Sequence, residues 1–248
     1  MECRIIEALM YQLEELFKQG TKELGIALND AQLKLFSIYL KIIKDYNQKV
    51  NITGIKTSDG IIVNHFLDSL TCALGFCPIN EMKIIDVGTG AGFPGIPLKI
   101  CYPQVNLILL DSKGKYVEFL YQLKNHLGIK FEILLGRAEE IGNKEEYRQR
   151  YDLVVSRAVA KLNTLVEYTV PFLKIGGLFI SQKGSFLQDE LISAQKAIDI
   201  LGGRIKEQKR ITLPIVHQER NLVIIEKIKP TPVEYPRRVG VPERKPIT

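Results

Sequence analysis

The sequence predicts an α/β fold, with a mostly parallel sheet of seven strands covered by helices and a small helical portion before it. Short apolar runs alternate with helical segments from residue 83 onward, which is typical of parallel sheets with helices on both faces. The first of these runs leads directly into a glycine-rich turn. The first 80 residues show helical periodicity and none of the two-residue alternation of strands.

The helical portion contains three apolar stripes. The second stripe follows Asn29 and Asp30, either of which is suited to cap a helix N-terminus. The apolar residues of each stripe recur at helical spacing, as they do along one face of a helix. In order, the stripes are Ile5, Ile6, Leu9, Leu13, Leu16 and Phe17; Leu33, Phe36, Leu40, Ile43 and Tyr46; and Ile61, Ile62, Phe66, Leu67 and Leu70.

Seven strand candidates follow the helical portion. The first five are separated by segments with helical periodicity, and a further helix near residues 186–201 precedes the last two. Because the last two leave little room for a helix between them, we expect them to form a closing antiparallel hairpin. The candidates are residues 83–87, 105–111, 130–135, 152–156, 178–182, 204–210 and 222–227.

These elements divide the chain into three predicted segments. Residues 1–80 form the helical portion, and residues 81–228 form the α/β domain. Residues 229–248 form a basic, proline-rich tail, which we expect to lack regular structure.

Composition and charge narrow the class of protein. The chain has 248 residues, of which 46% are hydrophobic and 25% charged, so it can bury a core without disulfides or metals. Its four cysteines (Cys3, Cys72, Cys77 and Cys101) form no CxxC pair, and with only three histidines we expect no metal site. A net charge of +6 suits a polyanionic partner without requiring one. We expect a cytoplasmic monomer that does not contact membranes, since neither a signal peptide nor a transmembrane stretch is recognisable.

The glycine-rich turn predicts a nucleotide-type ligand. Residues 86–92 have the pattern D-x-G-x-G-x-G, and glycines let the backbone approach a ligand closely. One alternative is a tight turn without a ligand. Another is a dinucleotide site, since Gly90, Gly92 and Gly95 satisfy G-x-G-x-x-G. Asp86 disfavours a pyrophosphate but tolerates an ammonium and a sulfonium. The turn therefore resembles the first motif of methyltransferases that use S-adenosylmethionine.

Two further positions extend this prediction. Asp111 ends the second strand, 23 residues after Gly88, where a carboxylate can accept bonds from both hydroxyls of a ribose. Its alternative is a solvated acid at a strand end. Ala138 and Glu139 follow the third strand, beside the expected adenine, although Glu139 could simply be an acid at a helix N-terminus.

Several segments together resemble one family. They are residues 46–53 (YNQKVNIT), 65–70 (HFLDSL), 86–97 with FPGIP, 110–115 (LDSKGK), 156–160 (SRAVA) and 235–238 (YPRR). A further segment, residues 173–178 (LKIGGL), resembles the LKPGG turn common to class I methyltransferases in general. This combination resembles the RsmG family, also called GidB, of bacterial 16S rRNA guanine-N7 methyltransferases. The resemblance covers most of the chain from about residue 30 onward.

The resemblance implies a class I, Rossmann-like methyltransferase fold with S-adenosylmethionine as cofactor. Cofactor contacts would fall on Gly88, Phe93, Ala138, Glu139 and Arg157, with Asp111 along the ribose and Gly90 as a further loop glycine. For Arg157 the alternative is a structural ion pair with a carboxylate such as Glu139. The partner would be small-subunit ribosomal RNA or a ribosomal assembly particle.

Five residues are candidates for contact with that substrate: His65, Asp68, Arg220, Arg237 and Arg238. His65 and Asp68 could instead stabilise a helix interface. No catalytic base is expected, because guanine N7 carries no proton and the motifs for amine or carbon methylation are absent after the fourth strand.

Three other functions remain open from the residues alone. The first is a methyltransferase with a protein or small-molecule acceptor. The second is an oxidoreductase with a nicotinamide cofactor in the glycine-rich turn. The third is an RNA-binding protein without catalysis.

Overall fold

The computed structural model describes residues 2–184 and 188–248, with side chains from residue 11 onward. The side chains of Ile5, Ile6 and Leu9, which the sequence assigns to an apolar stripe, are not among those described. Residues 186–187 of the predicted helix also lie outside the described residues. The helices are α1 (Glu2–Glu23), α2 (Asp30–Asn47), α3 (Ser58–Ile61), α4 (Asp68–Leu70), α5 (Gly95–Cys101), α6 (Gly114–Leu127), α7 (Ala138–Ile141), α8 (Leu162–Thr169), α9 (Gln188–Leu201) and α10 (Val241–Arg244). The strands are β1 (Lys83–Val87), β2 (Asn106–Asp111), β3 (Glu132–Leu135), β4 (Tyr151–Arg157), β5 (Leu173–Lys183), β6 (Gly203–Leu213) and β7 (Gln218–Lys227).

The second helix before the sheet begins where the sequence predicts. Asn29 caps α2, since its side chain accepts a bond from the Gln32 amide and the Gln32 side chain accepts one from the Asn29 amide, both at 2.9 Å. The third predicted helix is a chain of short segments. A π-helical stretch (Ile62–Leu67) joins α3 to α4, and a 3₁₀ turn (Thr71–Gly75) follows. Such π-helical stretches concentrate at functional sites.

The seven strands form one sheet in the order β3-β2-β1-β4-β5-β7-β6. The strands from β3 to β5 pair in parallel, and β7 runs antiparallel to both neighbours. The predicted closing hairpin is therefore confirmed. Strand order reverses between β1 and β4, and in open α/β sheets a ligand crevice opens at such a point, outside the carboxyl ends of the strands.

The sheet has a separate apolar core on each face, because alternate residues of a strand point to opposite sides. On one face, Ile84 and Leu109 pack with Phe36 and Tyr39 of α2 and with side chains of α5 and α6. The helical portion thus shares its core with the sheet. On the other face, the adjacent Ile85 and Leu110 pack with side chains of α8 and α9. The division at residues 80 and 228 stays a prediction.

Two elements differ from the sequence prediction. β5 begins at Leu173, so the segment expected to be a turn before it lies inside the strand. Gly176, with φ of +81°, accompanies a register shift there, from Tyr151 opposite Leu173 to Leu153 opposite Leu178. The expected irregular tail is also wrong in part, because α10 lies within it and Ile247 is buried in the second core.

Across the described part of the chain, no helix combines the length and the apolar character needed to cross a bilayer.

Candidate active site

A cavity of about 810 Å³ opens at the carboxyl ends of the central strands. Loops after β1, β2, β3 and β4 line it, as the strand order requires. All seven residues predicted to bind the cofactor line this cavity: Gly88, Gly90, Phe93, Asp111, Ala138, Glu139 and Arg157. Of the predicted substrate residues, His65 lines it as well.

At two positions that line the cavity, the glycine-rich turn has a backbone conformation that only glycine adopts without strain. Gly88 has φ of +72°, and a Cβ there would lie 2.4 Å from a methyl group of Val159. Gly90 has φ of +57°, but a Cβ there would meet no atom within 4 Å. Open space beside the Gly90 backbone is what a closely approaching ligand needs.

Asp86 supports this turn from behind. It is fully buried, and its Oδ2 accepts bonds from the Thr89 hydroxyl and the Gly95 amide, both at 2.7 Å. Burial raises the pKa of Asp86 to about 7, although these two hydrogen bonds oppose the rise. Asp86 does not line the cavity. From the sequence, Asp86 is expected near the positive charges of the ligand. In the structure it instead braces the loop from behind.

Asp111 joins the turn to the end of β2. Its Oδ2 accepts a bond from the Gly90 amide at 2.8 Å, and its Oδ1 accepts one from the Lys113 amide at 2.9 Å. A carboxylate has about four lone-pair sites, so each oxygen keeps one for a ligand hydroxyl. The carboxylate is thus oriented by backbone donors before any ligand arrives.

Glu139 has its side chain directed to the protein. Only 2% of the residue is exposed, and its Oε1 accepts bonds from Arg137 at 3.2 Å and from the Gly240 amide at 3.0 Å. The carboxylate therefore connects the loop after β3 to the C-terminal tail. Its neighbour Ala138 also lines the cavity, and its methyl side chain forms no hydrogen bond.

Arg157, at the end of β4, contacts the helical segment before the sheet. Its guanidinium donates to Asp68 Oδ2 at 2.8 Å, to the Asn64 carbonyl at 3.0 Å and to His65 Nδ1 at 3.1 Å. Arg220 donates to the other oxygen of Asp68, also at 2.8 Å. Asp68 is thus held between two guanidinium groups.

This arrangement corrects one alternative raised by the sequence. Arg157 does form an ion pair with a carboxylate, but the partner is Asp68, whereas Glu139 pairs with Arg137. The predicted polar network of His65 and Asp68 exists, and it reaches the cavity through Arg157.

His65 and Phe93 complete this wall. Their rings stack with centroids 4.5 Å apart, and the Arg157 guanidinium lies 5.1 Å from the Phe93 centroid. His65 Nε2 lies 2.6 Å from the Thr53 hydroxyl. Burial, and then the positive charge of Arg157, lower the pKa of His65 to about 3. Near neutral pH the ring is therefore uncharged, with Nδ1 accepting from Arg157 and Nε2–H donating to Thr53.

The two tail arginines predicted to face RNA differ from one another. Arg237 donates through Nε and through its terminal nitrogen to the fully buried carboxylate of Glu167, at 2.9 and 2.6 Å. It is a structural ion pair. Arg238 is exposed. Asp68, Arg220, Arg237 and Arg238 all lie outside the cavity lining.

Sequence reasoning missed three residues of the site. The buried Tyr39 of α2 donates its hydroxyl proton to the Ala91 carbonyl inside the glycine-rich turn, and its ring stacks on Phe93. Thr53 orients His65. Glu243 of the tail lines the cavity. Thr53 lies in the segment 46–53 that resembles the family, which was the one signal that could have found it. Tyr39 and Glu243 carry no such signal, because the contact of Tyr39 spans 52 positions of sequence and Glu243 reaches the cavity from the tail.

The fold, the glycine-rich turn and the prepared carboxylate at the end of β2 define a class I S-adenosylmethionine-dependent methyltransferase. The residues present fit that cofactor, given the open space at Gly90 and the free lone pairs of Asp111. Residues 32–226 match the family described as GidB, rRNA small subunit methyltransferase G, and the chain belongs to this family. The predicted family and cofactor are confirmed, and the nicotinamide alternative is set aside.

Relatives cover nearly the whole chain. The ribosomal RNA small subunit methyltransferase G of Alkaliphilus metalliredigens is 48% identical over 94% of this chain and 98% of its own length. The protein of the same name from Alkaliphilus oremlandii is 46% identical over 95% and 99%.

Solved structures agree on the fold. TYW2 of M. jannaschii, in complex with AdoMet, superposes with a TM-score of 0.52 at 16% identity, over 71% of this chain and 80% of its own. An SAM-dependent O-methyltransferase of Thermotoga maritima gives 0.50 at 14% identity, over 66% of each chain.

Proposed function

We propose that this protein transfers the methyl group of S-adenosylmethionine to N7 of a guanine in small-subunit (16S) ribosomal RNA. One observation carries the proposal. In a chain of the rRNA small subunit methyltransferase G family, seven residues from four separate loops line a single cavity at the switch point of the sheet.

Different cavity residues contact different parts of the cofactor. Asp111 accepts bonds from the two ribose hydroxyls with the lone pairs left by Gly90 and Lys113. Gly88 and Gly90 let the backbone approach the methionine part. Ala138 would contact the adenine through its backbone and methyl group, beside Glu139, whose Oε1 is bonded to Arg137 and to the Gly240 amide. When bound, the cofactor supplies an electrophilic methyl group on a sulfonium.

The acceptor chemistry requires no proton transfer from the chain. Guanine N7 has a free lone pair and no proton to lose. His65 is poorly suited as a base, because both of its ring nitrogens are committed and its pKa is lowered to about 3 by burial. Both carboxylate oxygens of Asp68 are taken by arginines. The protein therefore acts by aligning N7 with the methyl group, and such positioning supplies roughly 7–11 kcal/mol.

Arg157 is the residue that we assign to the acceptor side. It lies in the cavity wall, over the Phe93 ring, and its orientation is set by Asp68 and His65. An oriented guanidinium can contact the cofactor or the acceptor guanine without exchanging a proton, because it carries only hydrogen-bond donors and no acceptor.

The RNA surface is formed by cations that have no buried carboxylate partner. Lys113 and Lys161 are exposed and line the cavity, and Arg238 is exposed on the tail. Arg220 and Arg237, by contrast, neutralise Asp68 and Glu167. The guanine must be flipped out or single-stranded, because the major groove of an RNA helix is too narrow for close approach.

Methyl transfer to defined substrates tests the proposal. The full chain is incubated with methyl-labelled S-adenosylmethionine and 16S rRNA from cells that lack the enzyme, as naked RNA and as subunits. Label in 7-methylguanosine after nuclease digestion and mass spectrometry is expected, and Asp111→Ala should lower cofactor affinity about 10–150-fold. Label in another nucleoside, or in protein alone, would overturn the assignment.

A further inference from the structure

The C-terminal tail forms one side of the cofactor cavity. Glu243 and Pro246 line the cavity, and Pro242 and Ile247, which flank them in sequence, are buried. We refer to residues 240–247 as the tail wall. The family match ends at residue 226, so this wall lies beyond the matched region.

Two hydrogen bonds attach the tail wall to other segments that line the cavity. The Gly240 amide donates to Glu139 at 3.0 Å, and the Thr164 hydroxyl donates to the Pro242 carbonyl at 3.2 Å. Just before it, Arg237 is bonded to the buried Glu167. These contacts give the wall a defined position against the loop after β3 and against α8.

Strand order assigns the tail wall to one end of the cavity. β2, with Asp111 at its end, lies between β1 and β3. The glycine-rich turn follows β1, and Glu139, which binds the wall, follows β3. With the ribose at Asp111 and the methionine at the turn, the base occupies the side of β3. The tail wall therefore borders the adenine end.

Charges at this end support the same location for Glu243. Burial raises the pKa of Tyr168 to about 12, and the negative charges of Glu139 and Glu243 add to the rise. Tyr168 lines the cavity, so the Glu243 carboxylate lies within electrostatic reach of its wall.

We propose that the Glu243 carboxylate, on the tail wall, accepts a hydrogen bond from the 6-amino group of the cofactor adenine. An ionised carboxylate only accepts hydrogen bonds, and the 6-amino group is the donor on the adenine ring. An acid at this place would repel RNA phosphates, which argues for a contact with the cofactor. The inference deepens the proposed function and rests on S-adenosylmethionine as the cofactor.

A thermodynamic cycle tests this contact without any turnover. The affinities of S-adenosylhomocysteine and of its analogue lacking the 6-amino group are measured by calorimetry for the wild type and for Glu243→Ala. In the wild type, loss of the amino group should weaken binding roughly tenfold or more. In Glu243→Ala the two ligands should differ far less, because the partner of the amino group is gone.

Two further variants complete the experiment. Glu243→Gln keeps an acceptor oxygen and should retain part of the discrimination, and Glu140→Ala, an exposed acid of α7, should discriminate as the wild type does. Equal discrimination in Glu243→Ala and the wild type would overturn the inference. Failure of the wild type to bind S-adenosylhomocysteine at all would instead contradict the proposed function.

A shortened chain tests the wall as a whole. A chain ending at Val239 keeps the pair of Arg237 and Glu167 and should lose most of its affinity for S-adenosylhomocysteine. Lys245→Ala, which removes an exposed side chain of the same segment, should keep it. Full affinity in the shortened chain would show that the wall does not take part in binding.

Discussion

Arg157, at the end of β4, donates a hydrogen bond of 2.8 Å to Asp68, which lies 89 positions earlier in the helical segment before the sheet. The side chains are 13% and 8% exposed, so the ion pair is largely shielded from water. Since Arg157 lines the cavity, the helical portion orients a residue of the active site.

We expect Asp68→Ala to lower the free energy of unfolding by about 3–5 kcal/mol, because it leaves two partly buried guanidinium groups without their carboxylate. Arg157 should also lose its orientation, so the rate of methyl transfer at saturating cofactor should fall. Urea denaturation measures the first effect. Asp45→Ala, at an exposed acid of α2, is the control and should change stability by less than about 0.5 kcal/mol.

Gly90 and Gly128 form a matched pair of glycines with positive φ, at +57° and +64°, and a Cβ at either would meet no atom within 4 Å. Replacing either by alanine should cost about 1–2 kcal/mol of stability through backbone strain. Only Gly90→Ala should weaken cofactor binding, because its methyl group enters the cavity. Calorimetry with S-adenosylmethionine separates them, and equal affinities would remove Gly90 from the site.

Arg237 and Arg238 are adjacent in sequence and differ in role. Arg237→Gln should destabilise the fold by about 3 kcal/mol, since Glu167 would be left buried without a cation. Arg238→Gln should leave stability unchanged and lower the slope of RNA affinity against salt by about 1. Filter binding over a salt series, with thermal unfolding in parallel, checks both. The reverse pattern would contradict this division.

The stability of the protein should depend on His65 below neutral pH. Its pKa falls from 6.5 in the unfolded chain to about 3 in the fold, so the unfolded chain binds a proton that the fold excludes. The fold therefore loses stability as pH falls from 6.5 towards 3, by about 1.4 kcal/mol per pH unit. His65→Gln should remove this component in urea denaturation at several pH values. His126→Gln, at an exposed histidine, should not.

Methyl transfer itself should show no pH dependence that arises from His65 or Asp68. With both ligands saturating, we expect neither residue to produce a limb in the single-turnover rate from about pH 6 to 8.5, because neither must accept a proton, whereas a limb from Asp86, whose pKa burial raises to about 7, would persist when either is replaced. Rapid-quench measurements give this rate. A rising limb that disappears in His65→Gln or Asp68→Asn, with RNA binding intact, would establish a general base and defeat the proposed mechanism.

Local patterns in the sequence predicted every strand of the sheet and two features of the cavity. Each strand candidate overlaps an observed strand, and the glycine-rich turn and Asp111 lie at strand ends that line the cavity, as does Arg157, which the family resemblance supplied. Strand ends of a parallel sheet gather at one edge by topology alone, so residues found there by pattern come together without further information.

The sequence by itself determined the class of fold, because strand patterns and the glycine-rich turn are local properties, and it determined the family through the resemblance of several segments. With that resemblance it also predicted seven residues that line the cavity. Only the tertiary structure decided which charges are free. Asp86 braces a loop, Glu139 holds the tail, and Arg237 neutralises a buried carboxylate. Those roles depend on ion pairs and hydrogen bonds between distant segments, and burial makes such pairing obligatory for a charged group. No spacing of residues along the chain encodes the partner.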